Sequence, residues 1–488
     1  MEDGENALDS DLGNPINQLP TVLLEELIST FRGKKIRGEF LKEYGRIKPC
    51  VLPLPLPPHL RTLNLTTVTR WWKGSDYISD LLHLATIKSP NLETLLFDYF
   101  TCRYLANFSF IPKFKKLRIL DISFTKTDDD CFLLIGKHCP DLRELHAKAS
   151  GKVTDDGIRN LCVTGNCKFV RKLNLEYCYK ITITGIQLAL DNLPQLRALR
   201  HECLLEGLAE IAQYATVQKL DLPQYSLSKL YVLYNTVYKS GSLRQSVLLC
   251  PNVTEVYLNI RKEGFKDTDL LSLLLLEKLY TIEIVSVVPF PFHRNITFDG
   301  VVPLLKKFRY ILKRIKFEGF LYVDIPTIIE FCPNLESLTI KDCQTTQSTE
   351  TEVERPILQI LKKLIVRNST SSSENLFALL SSPSLVYVSM IGCDALNDHV
   401  FYRAANLHSF HNLEILCLYN CDSITKNGID IFLQETNPLE KIILCRSPNS
   451  RITREDIVNW NETAIWIEKN WRFNFIFEFS SSCLLQIC

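Results

Sequence analysis

The chain has 488 residues, 46% hydrophobic and 23% charged, with a formal net charge of +1. That is enough apolar material for several globular domains or one long repeat array. So balanced a charge gives no global electrostatic reason for a nucleic acid or an anionic membrane as partner.

The first residues, MEDGENALDSDLG, are acidic and lack the basic start and apolar run of a secretory signal. The longest apolar stretch, Leu270 to Leu276, is broken by Ser272 and too short to cross a bilayer. The expected location is therefore cytoplasmic and/or nuclear, with the 17 cysteines reduced. Residues 1–14 read as a disordered acidic tail.

Residues 15–58 read as a separate helical module closed by a proline-rich linker. Leu19-Pro20 precedes Leu23, Leu24, Leu27, Ile28 and Phe31, which recur at helical spacing. A second short helix, Ile36 to Tyr44, is expected after Gly33. The segment VLPLPLPPHL, Val51 to Leu60, then stops any helix and runs extended.

From Leu60 one pattern recurs: an apolar residue, another three later, a third two after that. Examples are Leu60-Leu63-Leu65, Leu117-Leu120-Ile122, Val170-Leu173-Leu175, Val217-Leu220-Leu222, Val253-Val256-Leu258 and Leu439-Ile442-Leu444. Fifteen such triplets follow at about 27 residues apiece, inside the range of leucine-rich repeats. The last two apolar positions of each have strand spacing, and a helix-length apolar run follows. The predicted fold class is α/β: a leucine-rich-repeat solenoid over residues 59–450, curved, with a parallel sheet on the concave side and helices on the convex side.

Two long intervals, Val217 to Val253 and Leu279 to Leu312, predict insertions, the second carrying Pro289-Phe290-Pro291-Phe292. The polar runs Thr345 to Glu354 and Ser369 to Glu374 read as exposed loops. Residues 451–488 read as a cap. Thr453 and Asp456 open a helix holding Ile457, Val458 and Trp460, and WRFNFIFEF follows as a strand with its aromatics on one face.

No phosphate-binding glycine loop, zinc-peptidase motif or nucleophile elbow is present. Cys417, Cys421, His408 and His411 lie close in sequence, but Cys417 sits between the leucines of a strand and Cys421 beyond it. No metal, cofactor or catalytic residue is expected. The remaining repeat cysteines, with Ala147 and His201 at apolar slots, read as packing.

Function should therefore lie on the concave strand face, between the leucines. Its candidate partner-contacting residues are Asp121, His146, Asn174, Glu176, Arg200, Asp221, Tyr257, Asn259, Glu283, Lys316, Lys341, Arg367 and Tyr419. Mixed charge with arginine and tyrosine suits a protein or peptide partner.

CPDLREL (from Cys139), CPNLESLTIKDC (from Cys332) and LEILCLYNCDSITKNGI (from Leu413) resemble the cysteine-containing leucine-rich repeats. So do Val153-Thr154-Asp155-Asp156-Gly157-Ile158 and Ile424-Thr425-Lys426-Asn427-Gly428-Ile429. Leu19-Pro20 and the Leu-rich helix resemble the opening of an F-box, without its later basic residues and Trp. Leu52-Pro53-Leu54-Pro55 after that helix is also similar to elongin-binding boxes, without their Cys. Proteins joining such parts are substrate receptors of cullin-based ubiquitin ligases. The resemblance implies that Leu19, Pro20, Leu23, Leu24, Leu27, Ile28 and Phe31 dock on a Skp-type adaptor and cullin, or an elongin-type adaptor, while the concave face holds a protein substrate. The chain would then be a monomer within a larger complex. The alternatives are a stand-alone interaction scaffold or enzyme regulator, with those same apolar residues merely capping the first repeat.

Overall fold

Each repeat contributes one short strand whose leucines cannot be shielded by that strand alone, so neighbours must stack. The computed structural model describes residues 56–65, 76–97, 108–233, 238–260, 264–286, 296–345, 356–433, 438–445, 451–466 and 474–475. The predicted tail, the helix carrying Leu19 to Phe31, the Pro289–Phe292 loop and residues 346–355 lie outside them. The chain divides into two units, Met1–Leu227 and Ser228–Cys488.

In the first unit, β1 (Thr62–Asn64), β2 (Thr94–Leu96), β3 (Ile119–Asp121), β4 (Glu144–His146), β5 (Lys172–Asn174) and β6 (Ala198–Arg200) pair in chain order, all parallel. The second runs in the same way through β7 (Lys229–Leu233), β8 (Glu255–Ile260), β9 (Thr281–Ser286), β10 (Arg314–Glu318) and β11 (Ser337–Lys341). It continues through β12 (Lys363–Arg367), β13 (Tyr387–Ile391), β14 (Ile415–Tyr419), β15 (Lys441–Cys445) and β16 (Asn474–Phe475). Helices alternate with most strands. This is an α/β leucine-rich-repeat solenoid, as predicted. No helix among the described residues is long and apolar enough to cross a membrane.

The predicted triplets coincide with strands and are buried, with one exception. Val217 ends the helix Leu204–Val217, and it and Leu220 are exposed. The strand of that repeat is β7, and its triplet is Leu227-Leu230-Val232, all buried. Leu204, Leu205, Leu208, Ile211 and Ala212 extend the helical spacing up to Val217, and the residues assigned to a strand follow as a turn and an exposed segment. The insertion therefore precedes this strand, and the Tyr225 hydroxyl fastens it by donating to Asp191 Oδ1 at 2.8 Å.

A second correction concerns Ser369 to Glu374, which is a loop only as far as Ser372 and is not uniformly exposed. Ser369 is buried, Ser372 accepts a bond from the Asn375 amide at 3.2 Å, and Ser373 and Glu374 begin the helix Ser373–Leu380. Serine clusters mark helix caps as well as loops. At the front, Leu56 is buried and Pro57 O accepts from Ser89 Oγ at 2.9 Å, so the end of the proline-rich segment is fastened to the first repeat. At the back, Thr453 and Asp456 form the predicted reciprocal cap of the helix Arg454–Trp466. Trp460 Nε1 donates to Asp430 Oδ1 at 2.8 Å. Of the predicted aromatic strand, Phe475 is in register with Leu444; Trp471, Phe473, Phe477 and Phe479 lie outside the described residues.

The Thr-Asp-x-Gly pattern has a specific cause. Thr154 caps the helix Asp155–Cys162, and its amide and hydroxyl both donate to Asp129 of the preceding repeat, each at 2.8 Å. Thr182 does the same with Asp155, at 2.8 and 2.6 Å. The clasp recurs at Thr297 with Asp267 and at Thr425 with Asp398. A carboxylate beside a helix N-terminus is also favoured by the dipole. Glycine three residues after the threonine leaves room for it: a Cβ at Gly185 would lie 2.3 Å from Asp155 Oδ1, and Gly428 is as close to Asp398.

Gly185→Ala should break this clasp and cost about 2 kcal/mol in urea denaturation, the usual scale for two lost hydrogen bonds plus overpacking. Gly151→Ala, whose Cβ would meet nothing within 4 Å, should leave the midpoint unchanged. Equal effects at both positions would refute the account.

Candidate recognition surface

Strand alternation sends the leucines inward and the residues between them to the open face of the sheet. In the first unit, Asp121, His146, Asn174 and Arg200 stand in one register row across β3 to β6, all partly buried. Asp121 Oδ1 accepts from the Ser123 amide at 2.9 Å, and Asn174 Oδ1 from the Glu176 amide at 3.1 Å, so both fix the turn after their own strand. Glu144 pairs with Lys172 at 2.8 Å and lies 3.7 Å from His146. Glu176, buried, holds Lys148 at 2.8 Å and Arg200 at 3.3 Å. Asp221 does not join this row. It is exposed in the segment before β7, and Tyr231 takes the strand position assigned to it.

In the second unit Tyr257 stacks on Tyr231, ring centroids 4.6 Å apart and planes 13° from parallel. Beneath them lies Glu255, which sequence inspection missed because only its neighbour Tyr257 drew notice. Glu255 is 4% exposed, pairs with Lys229 at 2.9 Å, and accepts from Tyr280 at 2.7 Å and from the Tyr257 hydroxyl. Burial pushes its carboxyl up, but hydrogen bonds from Tyr257, Tyr280 and Lys229 outweigh burial and hold it below the usual range. Burial and the Glu255 carboxylate both push the Tyr257 phenol up.

Farther along, Glu283 stands in register between Tyr257 and Lys316, with Asn259 beside it on β8. Lys316 pairs with Glu318 at 3.0 Å. Lys341 and Arg367 are register neighbours on β11 and β12, and among the described residues neither makes an ion pair. Arg367 Nε is buried with no hydrogen-bond partner. Tyr419 differs from expectation: it is 7% exposed, within an apolar cluster of Ile391, Cys417 and Ile443 flanked by Tyr387 and Ile415. It supports the face rather than presenting on it. The isoleucines at strand-face positions were the signal for this.

The cysteines act as packing donors. Cys178 Sγ donates to Ala147 O of the preceding repeat at 3.1 Å, and Cys393 and Cys421 reach back to Val366 O and Met390 O at 3.7 and 3.5 Å. Burial pushes the Cys139 and Cys332 thiols up to about 12, far from a reactive thiolate. Cys417 lies in the apolar cluster while Cys421 turns toward Met390, and His408 is engaged by Leu380 O at 2.8 Å. Among the described residues no group of three or more metal-binding side chains converges.

No family model matches the chain, and no curated protein matches it in sequence. Among solved structures it resembles the crystal structure of the Rad7 and Elc1 complex in yeast, with 13% identity over 72% of this chain and 76% of that one and a TM-score of 0.44. It also resembles a leucine-rich-repeat protein of Leptospira interrogans, with 15% identity over 86% of this chain and 96% of that one and a TM-score of 0.35. At such identities the likeness concerns the fold alone.

His201 is 1% exposed, and it bonds on both sides. Its Nδ1 accepts from the Cys203 amide at 3.0 Å, so Nε2 carries the proton that faces Cys178 O at 3.3 Å. Burial pulls its pKa below the ordinary value, against the Cys178 carbonyl and the Glu202 and Asp155 charges. His408 repeats the arrangement with Leu380 O and the Phe410 amide, and burial lowers it too. A folded-state pKa below the unfolded one means that the unfolded chain takes up protons first. Stability is then complete above about pH 6.5 and is lost as the pH falls below it. The drop in thermal midpoint between about pH 7.5 and 5.5 should be smaller in His201→Gln, which keeps a donor and an acceptor but cannot titrate. An unaltered drop removes His201 from the explanation.

Proposed function

We propose that this chain is a non-catalytic recognition subunit whose open strand face binds a protein, acting as the substrate receptor of a cullin-based ubiquitin ligase. The observation that carries the binding half is the Lys341 and Arg367 pair. Two adjacent cations that make no ion pair among the described residues, one with a nitrogen buried without a hydrogen-bond partner among them, carry a desolvation cost. An acidic segment laid across β11 and β12 removes that cost. Strands are about 4.8 Å apart and an extended peptide advances about 3.3 Å per residue, so carboxylates one or two residues apart reach both cations. The receptor would act by raising the concentration of its substrate beside the ligating machinery.

The ligase half rests on Leu19-Pro20 and the apolar set Leu23, Leu24, Leu27, Ile28 and Phe31, which resemble an adaptor-docking helix. A second reading, a stand-alone scaffold or enzyme regulator, is favoured by one observation. The proline-rich segment is tied to the first repeat through Pro57 and Ser89, as expected of a cap.

A full-length chain purified from cells should bring a Skp-type or elongin-type adaptor and its cullin, and Leu23→Asp/Leu27→Asp should lose both. Recovery of neither from the parent chain rejects the ligase and leaves the scaffold. Lys341→Glu/Arg367→Glu should weaken capture of an acidic peptide at least tenfold, about 1.4 kcal/mol or more. Unchanged capture by a folded variant would refute the binding half.

A further inference from the structure

Among the described residues, eight repeats turn just after the strand through a residue of left-handed backbone, while Cys203 after β6 does not. In the second unit these residues are Gly319, Asp342, Asn368, Gly392 and Asn420, the types that tolerate positive φ. In the first unit the equivalent residues are Phe124 (φ 63°), Ala149 (φ 57°) and Tyr177 (φ 62°). A bulky aromatic there is strained. Burial does not repay it: Phe124 is 37% and Tyr177 43% exposed, and Tyr179 beside them is 69% exposed.

These aromatics surround charge. Lys148 Nζ lies 5.9 Å from the Phe124 ring centroid and 5.1 Å from that of Tyr177, and pairs with Glu176. Tyr179 stands edge-on to Tyr177 at 6.1 Å. The turn amides of Phe124 and Ala149 donate to Lys148 O and Glu176 O of the next repeat. At Tyr177 a carboxylate replaces that carbonyl: Glu202 Oε1 accepts from its amide at 2.9 Å. The other oxygen, Oε2, is buried without a partner in a residue that is itself only partly buried. Glu206, Asp155 and Glu210 add negative charge nearby; with Glu202 they raise the Cys203 thiol, after burial itself.

We propose that the turns following β3, β4 and β5 form a docking site for an arginine side chain carried by a segment of a partner protein. The guanidinium would stack on Tyr179 and, with the partly exposed Glu202 side chain turning Oε2 toward it, pair with that carboxylate. A planar cation suits both tasks, since aromatic faces attract it and its fork fits a carboxylate. Lys148 against Tyr177 shows the same chemistry within the chain. The site is independent of the Lys341 and Arg367 pair and of any adaptor.

The test is fluorescence anisotropy with a labelled nonapeptide, GSRGSRGSG, against versions bearing citrulline, lysine or glutamate in place of arginine. Arginine should bind at least tenfold more tightly than citrulline. Tyr179→Ala and Glu202→Gln should each weaken arginine binding about tenfold, as expected for one charge-assisted or stacking contact. Glutamine keeps the acceptor for the Tyr177 amide, so the thermal midpoint should hold. Tyr177→Asn, the residue used at the equivalent turns, should raise the midpoint by a few degrees while weakening binding. Equal binding of arginine and citrulline, or an unmoved affinity in Glu202→Gln, overturns the proposal. So does preferred binding of the glutamate peptide, which would assign the patch to Lys148. A lowered midpoint in Tyr177→Asn would mean that the aromatics serve packing and would overturn it as well.

Discussion

A strand of three to five residues with one apolar side has no independent stability, and every strand here depends on its neighbours for both backbone bonds and burial. Stacking alone would leave each helix free to slide against the next. The Asp–Thr clasp removes that freedom, because one carboxylate takes both the amide and the hydroxyl of the following cap. It acts only where glycine leaves space, so motif and register are one requirement. The turns carry a second inter-repeat set, in which thiols and hydroxyls donate to carbonyls across the repeat boundary. Sheet, turns and helix starts are thus tied independently, which leaves the open face at liberty to vary.

That liberty is used differently in the two units. In the first, face charges are largely neutralised internally: Glu176 takes two cations and Glu144 takes one. Such pairs on a partly exposed face contribute little stability but set a fixed pattern of potential. In the second, Glu255 is neutralised by Lys229, while Lys341 and Arg367 make no ion pair among the described residues, just before the face becomes apolar at Ile391.

Most of the architecture could be read before any coordinates, because leucine spacing reports burial directly and burial is what the strands need. The register failed where two periodicities overlapped. Val217 and Leu220 fit a triplet, but Leu204 through Ala215 fit a helix that runs on to Val217, and a helix closes its own backbone bonds while an isolated triplet does not. Asp221 was misplaced with it. Tyr419 was read as a contact because tyrosine is common at interfaces; what decided its burial was Ile391 and Ile443 on adjacent strands, a cross-strand property that no single triplet displays.

Glu255 and the turn aromatics were illegible for a related reason. Their character depends on what lies across a strand boundary, about 25 residues away in sequence, as with Tyr280 on Glu255 and Glu202 on the Tyr177 amide. Backbone conformation adds what composition hides. A tyrosine in a turn is unremarkable as a letter, yet at the position filled in the other unit by glycine, asparagine and aspartate it becomes a departure from what the turn prefers. Repeats make this comparison possible inside one chain, because each supplies the control for the others. Where five turns of the second unit have solved the same local problem with a suitable residue and Phe124 and Tyr177 have not, backbone preference does not explain the choice, and the proposed docking site supplies a reason for it.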